Sequence, residues 1–250
     1  MTSIPSSVIA SLAKPFELTA DQIAFYQQNR FIKLKQVFDE ETISFFNEVI
    51  GKRVEIMNQQ NTPLEQRSTY GKAFLQLFNL WKEDELVKAF VFSERLAKIA
   101  ADLMQVDGVR IYHDQALFKE PGGGHTPWHQ DQYYWPLDTP KTVTMWMPLV
   151  DIQEGMGMLT FASGTQHVSL PPMEISDASE EKIGAFVKEQ NFPIVAQKTM
   201  KAGDATFHYG WTLHNAPGNH TSTMREVMTL IFMDAEARVI EPKNPNQEAD

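Results

Sequence analysis

The chain has 250 residues, 42% of them hydrophobic, and a net charge of -10 from 22 basic and 32 acidic residues. That is enough apolar mass for a sizeable core on the scale of one all-β domain, and no run of lysine and arginine points to a nucleic-acid partner. No apolar stretch predicts a membrane span, residues 1–5 carry no secretory leader, and the lack of cysteine removes disulfides, thiolate metal sites, iron–sulfur clusters and cysteine nucleophiles, which makes the expected compartment cytoplasmic.

In chain order, residues 1–108 are predicted to be mainly helical support. Thr19 is a candidate N-cap, with Gln22 three residues on, for a helix through 23–28. Residues 31–35 alternate and predict a short strand. Asp39 can cap the next helix, whose Ile43, Phe46, Val49 and Ile50 recur at three- and four-residue steps and which runs to about Met57. Residues 58–72 are polar and hold a proline and a glycine, so they predict a loop. Residues 83–92 and 93–104 predict two more helices, separate or continuous.

From Val109 the periodicity changes. Residues 109–119, 143–150, 158–162, 205–209 and 225–233 predict short strands, and the three glycines after Pro121 are a strong break. Residues 169–203 predict an insertion with a helix over 179–190, and 238–250 a loose polar tail. The expectation is one domain over 1–250, with a β sandwich or jelly-roll core at 109–237 rather than a βαβ fold.

Of seven histidines only one opens a His-X-Asp triplet, His129-Gln130-Asp131. In extended chain, residues two apart face the same side, so this imidazole and carboxylate can reach one ion. A third ligand would complete a facial triad with three positions left open. The best candidate is His214, far downstream beside a turn. Arg225 follows it, and its planar fork suits the distal carboxylate of a dicarboxylic keto acid. The bland alternatives are a surface turn for the triplet, strand packing for His208, a turn role for His167, and surface or turn positions for His113 and His220. His125, after the glycines, is either on a moving lid or simply exposed.

Residues 119–234 resemble the phytanoyl-CoA dioxygenase family of iron(II)/2-oxoglutarate oxygenases. The resemblance is carried by Trp128-His-Gln-Asp, Met145-Trp-Met-Pro-Leu-Val-Asp, Gly157-Met-Leu-Thr-Phe-Ala-Ser-Gly-Thr-Gln-His, Ala202-Gly-Asp-Ala, Leu213-His and Arg225. One departure is the turn after Phe161, which lacks the usual proline and is one residue longer. The resemblance implies a double-stranded β-helix, a cupin-like jelly roll flanked by helices. It implies His129, Asp131 and His214 as iron ligands, Arg225 as anchor of the 2-oxoglutarate C5 carboxylate, and Trp146 and Lys119 as further co-substrate contacts. For Lys119, exposure at a strand end is the ordinary alternative.

The activity so implied is hydroxylation of a small organic molecule, with iron(II) as cofactor and 2-oxoglutarate and O₂ consumed as co-substrates. A carboxylate at Asp131 fills the position that related halogenases leave to chloride, which favours hydroxylation. Desaturation or cyclisation, and a non-catalytic jelly-roll sensor of 2-oxoglutarate, are the alternatives. Trp128, Tyr133, Tyr134 and Trp135 flank the triplet and either line the substrate mouth or belong to the core. The loops at 58–82 and 169–203 are lid candidates. The expected partner is a small molecule, with neither nucleic acid nor membrane.

Overall fold

A computed structural model describes residues 3–168, 170–171 and 175–249. Met1 and Thr2 of the leader reading, residues 169 and 172–174 of the insertion, and Asp250 of the tail lie outside the described residues.

The helical part begins with α1 (Ser6–Ala13), which the sequence reading did not anticipate, and α2 (Ala20–Asn29). Thr19 starts α2 as expected. Its hydroxyl accepts the Gln22 N–H at 3.2 Å, and the Gln22 side-chain oxygen accepts the Thr19 N–H at 2.8 Å, satisfying two helix-end donors at once. Arg30 ends the helix in left-handed conformation and β1 (Phe31–Leu34) leaves directly. Asp39 caps α3 (Glu40–Met57) through the Thr42 N–H. The predicted loop over 58–72 is partly wrong. It holds the start of α4 (Thr69–Ala73), capped by Ser68, and is followed by β2 (Leu75–Phe78). Next, α5 (Glu85–Val91) and α6 (Glu94–Met104) are two helices, not one, because Ser93 caps the second.

The β part runs β3 (Val109–Phe118), β4 (Thr126–His129), β5 (Thr142–Pro148) and β6 (Thr160–Ala162). Then α7 (Asp177–Glu189), capped by Ser176, begins two residues earlier than expected. It is followed by β7 (Ile194–Ala196), β8 (Ala205–Tyr209), β9 (His214–Ala216), β10 (Val227–Asp234) and a short α8 (Pro245–Ala249). No helix among the described residues is long and apolar enough to cross a membrane.

The strands form two antiparallel sheets, a six-stranded one in the order β1-β8-β5-β10-β3-β2 and a four-stranded one in the order β4-β9-β6-β7. This is the expected jelly roll. Alternation gives each strand of the large sheet two faces. Met145 and Met147 of β5, with Leu230 and Phe232 of β10, meet the apolar stripes of α3, α5 and α6. The opposite face of β5, with Trp146, packs towards the small sheet, where Phe31 and Phe161 stack at 4.6 Å with rings nearly parallel.

The expected loose tail is anchored. Leu137 and Val239 pair as a β bridge, the Asp138 N–H donates to the Arg238 carbonyl while the Asp138 carboxylate accepts the Arg238 N–H, and Gln247 Nε2 donates to the carbonyls of Tyr133 and Trp135 at 3.2 and 3.3 Å. The tail therefore braces the segment that follows Asp131. Its polarity gave no warning, because the bracing is made by main chain, the Asp138 carboxylate and one amide.

Candidate metal centre

The sheets bring three distant side chains together. His129 ends β4 and His214 opens β9, and the two strands pair with these residues directly opposite. Asp131 follows at the start of a 3-10 turn over Asp131–Tyr134. One ligand atom from each of His129, Asp131 and His214 lies within 4.8 Å of the others. His129 Nε2 is 3.5 Å and His214 Nε2 is 3.6 Å from Asp131 Oδ1. Donors about 2.1 Å from one octahedral ion, in cis positions, are roughly 3 Å apart, so a small inward movement would suffice.

The tautomers are set by the main chain. His129 Nδ1 lies 2.7 Å from Pro127 O, and His214 Nδ1 lies 3.0 Å from Thr212 O. A carbonyl only accepts, so each Nδ1 donates and each Nε2 faces the centre, where it can give its lone pair to a metal. Burial and the neighbouring His129 hold the His214 ring well below the usual histidine range, against the pull of Asp131, so the ring is neutral. Burial alone would raise the Asp131 carboxyl. The His214, His129 and His208 rings outweigh burial and hold it well below the carboxylate range. Two imidazole nitrogens and an ionised carboxylate are a donor set for a divalent ion of borderline hardness such as iron(II).

His208, read from sequence as strand packing, joins the site. Its Nε2 lies 3.1 Å from Asp131 Oδ2, which also accepts the Thr144 hydroxyl at 2.8 Å. These contacts occupy one carboxylate oxygen and leave Oδ1 for the metal. The sequence held no local signal for this role, since β8 and β5 meet Asp131 only through sheet pairing.

Arg225 is 1% exposed. It does not open the last strand, as expected, but pairs with Lys119 as an isolated bridge. Its guanidinium lies 5.4 Å from the Trp146 ring and donates through Nη1 to Gly157 O at 2.6 Å, while Nε has no partner. Among the described residues it has no acidic partner, and burial pushes its pKa down to about 9. A buried guanidinium with an idle donor is costly unless a ligand anion completes it, and a carboxylate of 2-oxoglutarate fits that need.

A cavity of about 430 Å³ connects these groups, with Arg225, Trp146 and the three candidate ligands in its wall. Tyr134 and Trp135 also line it. Trp128 does not. It packs under α7 against Ile183, Val187 and Leu213, because the residue before His129 faces the opposite side of β4. Tyr133 is likewise off the wall, edge-on to Tyr134 at 5.2 Å. Lys119 is neither the exposed strand-end residue nor a cavity-lining one. It is fully buried, its ammonium donates to Gly124 O, and burial beside Arg225 lowers its pKa to about 6. His113, expected at the surface, is 5% exposed and lines the cavity. His167 and His220 are exposed turn residues, and His125 sits 3.4 Å from Asp177 at the start of α7.

Comparison with known proteins agrees with this arrangement. The family described as Phytanoyl-CoA dioxygenase (PhyH) matches residues 26–227. The chain is 23% identical to the peroxisomal phytanoyl-CoA dioxygenase of Homo sapiens over 92% of its length and 73% of the relative's. It is 21% identical to the Mus musculus protein over the same shares. Among solved structures, the non-heme alpha-ketoglutarate-dependent carbocyclase SnoK from nogalamycin biosynthesis superposes with a TM-score of 0.77 at 21% identity, covering 95% of this chain and 93% of SnoK. The related epimerase SnoN gives 0.75 at 22% identity, over 90% and 84%. EctD from S. alaskensis, solved with 2-oxoglutarate and 5-hydroxyectoine, gives 0.74 at 18% identity, over 92% and 82%.

Proposed function

The chain belongs to the phytanoyl-CoA dioxygenase family of iron(II)- and 2-oxoglutarate-dependent oxygenases, and from that premise we propose that it hydroxylates an unactivated C–H bond of a small organic molecule. One oxygen atom of O₂ enters the product, and the other enters the succinate formed as 2-oxoglutarate loses CO₂. The observation that supports this reading most is the convergence of His129, Asp131 and His214 beside a buried arginine that lacks an acidic partner.

In this reading His129, Asp131 and His214 would hold the metal. The iron, when bound, supplies the O₂ activation that no side chain here can provide. Thr144 and His208 fix the Asp131 carboxylate so that one oxygen stays directed at the ion. Arg225, whose guanidinium lies over Trp146 and which forms part of the cavity wall, would receive the distal carboxylate of 2-oxoglutarate. The apolar layer behind Trp146 and Phe161 keeps water from the far side of the site.

SnoK and SnoN are described as a carbocyclase and an epimerase, so a second outcome, cyclisation or epimerisation on the same ligand set, belongs in the test. Protein loaded anaerobically with iron(II) is mixed with 2-oxoglutarate, O₂ and a metabolite extract, and succinate and product masses are followed. Hydroxylation predicts succinate matched by a compound that gains one oxygen atom. A compound that loses two hydrogens, or changes only its configuration, would replace it with the second reading. No succinate would count against both.

A further inference from the structure

We propose that the compound oxidised is an uncharged ring compound bearing hydroxyl or carbonyl groups, held along β3 and β2 by the row Tyr70, Gln76, Gln115 and His113. The proposal rests on the oxygenase reading above and names its substrate class.

The cavity is divided by charge. Asp131 meets β8 and β5 through His208 and Thr144, while Arg225 precedes β10, bridged to Lys119 just after β3, with its guanidinium over Trp146 of β5. From there the wall continues across β10 to β3 and β2, which lie two and three strands beyond β5. At a spacing of about 4.8 Å per strand, that wall extends roughly 14 Å from the metal ligands' side. Among its described lining residues there is no lysine, no glutamate, and no arginine or aspartate besides Arg225 and Asp131.

The polar groups on this wall are a phenol, two amides and an imidazole, and they are connected. Tyr70 Oη donates to Gln76 Oε1 at 2.8 Å, Gln76 Nε2 donates to Gln115 Oε1 at 2.9 Å, and Gln115 Nε2 lies 2.7 Å from His113 Nε2. An amide nitrogen donates, so His113 Nε2 accepts. Each amide keeps a second N–H and a second lone pair, so the row can both donate to and accept from a hydroxyl or carbonyl. Aromatic rings flank it. Phe74 is edge-on to Tyr70 at 5.4 Å, Phe78 edge-on to His113 at 5.5 Å, and Trp135 edge-on to His113 at 6.3 Å. Ring edges beside an amide row suit a flat body with polar substituents. A carboxylate or phosphate placed here would be desolvated without a cation to meet it.

The test uses Trp135 and Trp146, both in the cavity wall, as reporters. Full-length protein loaded anaerobically with iron(II) and 2-oxoglutarate is titrated with four probes: 2-naphthol, 2-naphthoate, 2-naphthyltrimethylammonium and octanoyl-CoA. The naphthol should quench tryptophan fluorescence with a Kd at least tenfold below those of the other three. Gln115→Leu and Gln76→Leu should each weaken it at least tenfold, while 2-oxoglutarate affinity, measured on the same samples, shows that each variant is folded. Equal or tighter binding of the naphthoate, the ammonium or the CoA ester overturns the proposal, as does naphthol binding that neither variant changes. If the wild type fails to bind 2-oxoglutarate, the oxygenase reading fails and takes the proposal with it. If 2-oxoglutarate binds but the probe order is wrong, only the substrate class fails.

Discussion

Asp131 is the side chain whose surroundings say most about its task. One oxygen accepts from Thr144 and His208, and the other faces the Nε2 atoms of two imidazoles. Removing an outer partner of a ligand lowers metal affinity by roughly 10- to 100-fold. Thr144→Val should therefore weaken iron(II) binding by that factor in an equilibrium dialysis, with the fold intact. His214→Ala removes a ligand outright and should leave no retained iron after gel filtration. Arg225→Leu should raise the KM for 2-oxoglutarate by about 100-fold, from the roughly 3 kcal/mol that a buried charged pair loses when one partner is cut, while iron affinity stays near that of the wild type. The triplet at 129–131 was legible because side chains two apart in extended chain share a side, and His214 and Arg225 followed from their chemistry. His208, His113 and Gln115 were not, because strand pairing alone brings them to the cavity, and the sequence near each of them looks like ordinary strand.

Two elements near the site were hidden for different reasons. β2 is four half-exposed residues with no clear alternation, so 58–82 read as an open lid, although part of it is a fixed wall. The tail was read as loose from its polarity, yet it braces residues 133–138. Deleting residues 238–250 should free that segment and raise the KM for the organic substrate more than that for 2-oxoglutarate, as steady-state kinetics would show. Gly157 was legible within the family-like stretch but not for its reason. It has φ +82, a Cβ there would stand 2.5 Å from Pro217 O, and its carbonyl accepts from Arg225. Gly157→Ala should lower the melting temperature and weaken 2-oxoglutarate binding together, because the strained turn carries the arginine's acceptor.

Across the whole molecule, the change from helical to strand periodicity near Val109 made the helix-backed jelly roll readable before any coordinates. The pairing of the strands was not, because β1 joins β8 across most of the chain, at Phe31 opposite His208, and only the assembly of the large sheet selects that partner. Asp114 ties the sheet to the helical part by accepting the Leu80 N–H at 3.0 Å and the Trp81 N–H at 3.4 Å. Burial raises its pKa from 3.8 to about 6, against the opposing effect of those hydrogen bonds. Because the folded pKa is the higher one, its stabilising contribution is full below pH 3.8 and is lost as pH rises through about 6, an effect of order 3 kcal/mol at about 1.4 kcal/mol per unit. Asp114→Asn should therefore gain on the wild type in melting temperature as pH rises through that window, and an unchanged difference would assign the pH response elsewhere.

The functional expectations depend on one iron shared by His129, Asp131 and His214, with 2-oxoglutarate anchored at Arg225. An anaerobic titration of the iron(II)-loaded protein with 2-oxoglutarate, followed by the visible charge-transfer band of the chelate, tests this directly. The account predicts a band that saturates at one equivalent per chain, is absent in His214→Ala, and needs far more 2-oxoglutarate in Arg225→Leu. A wild type that develops no band, or a His214→Ala protein that develops it unchanged, would contradict it.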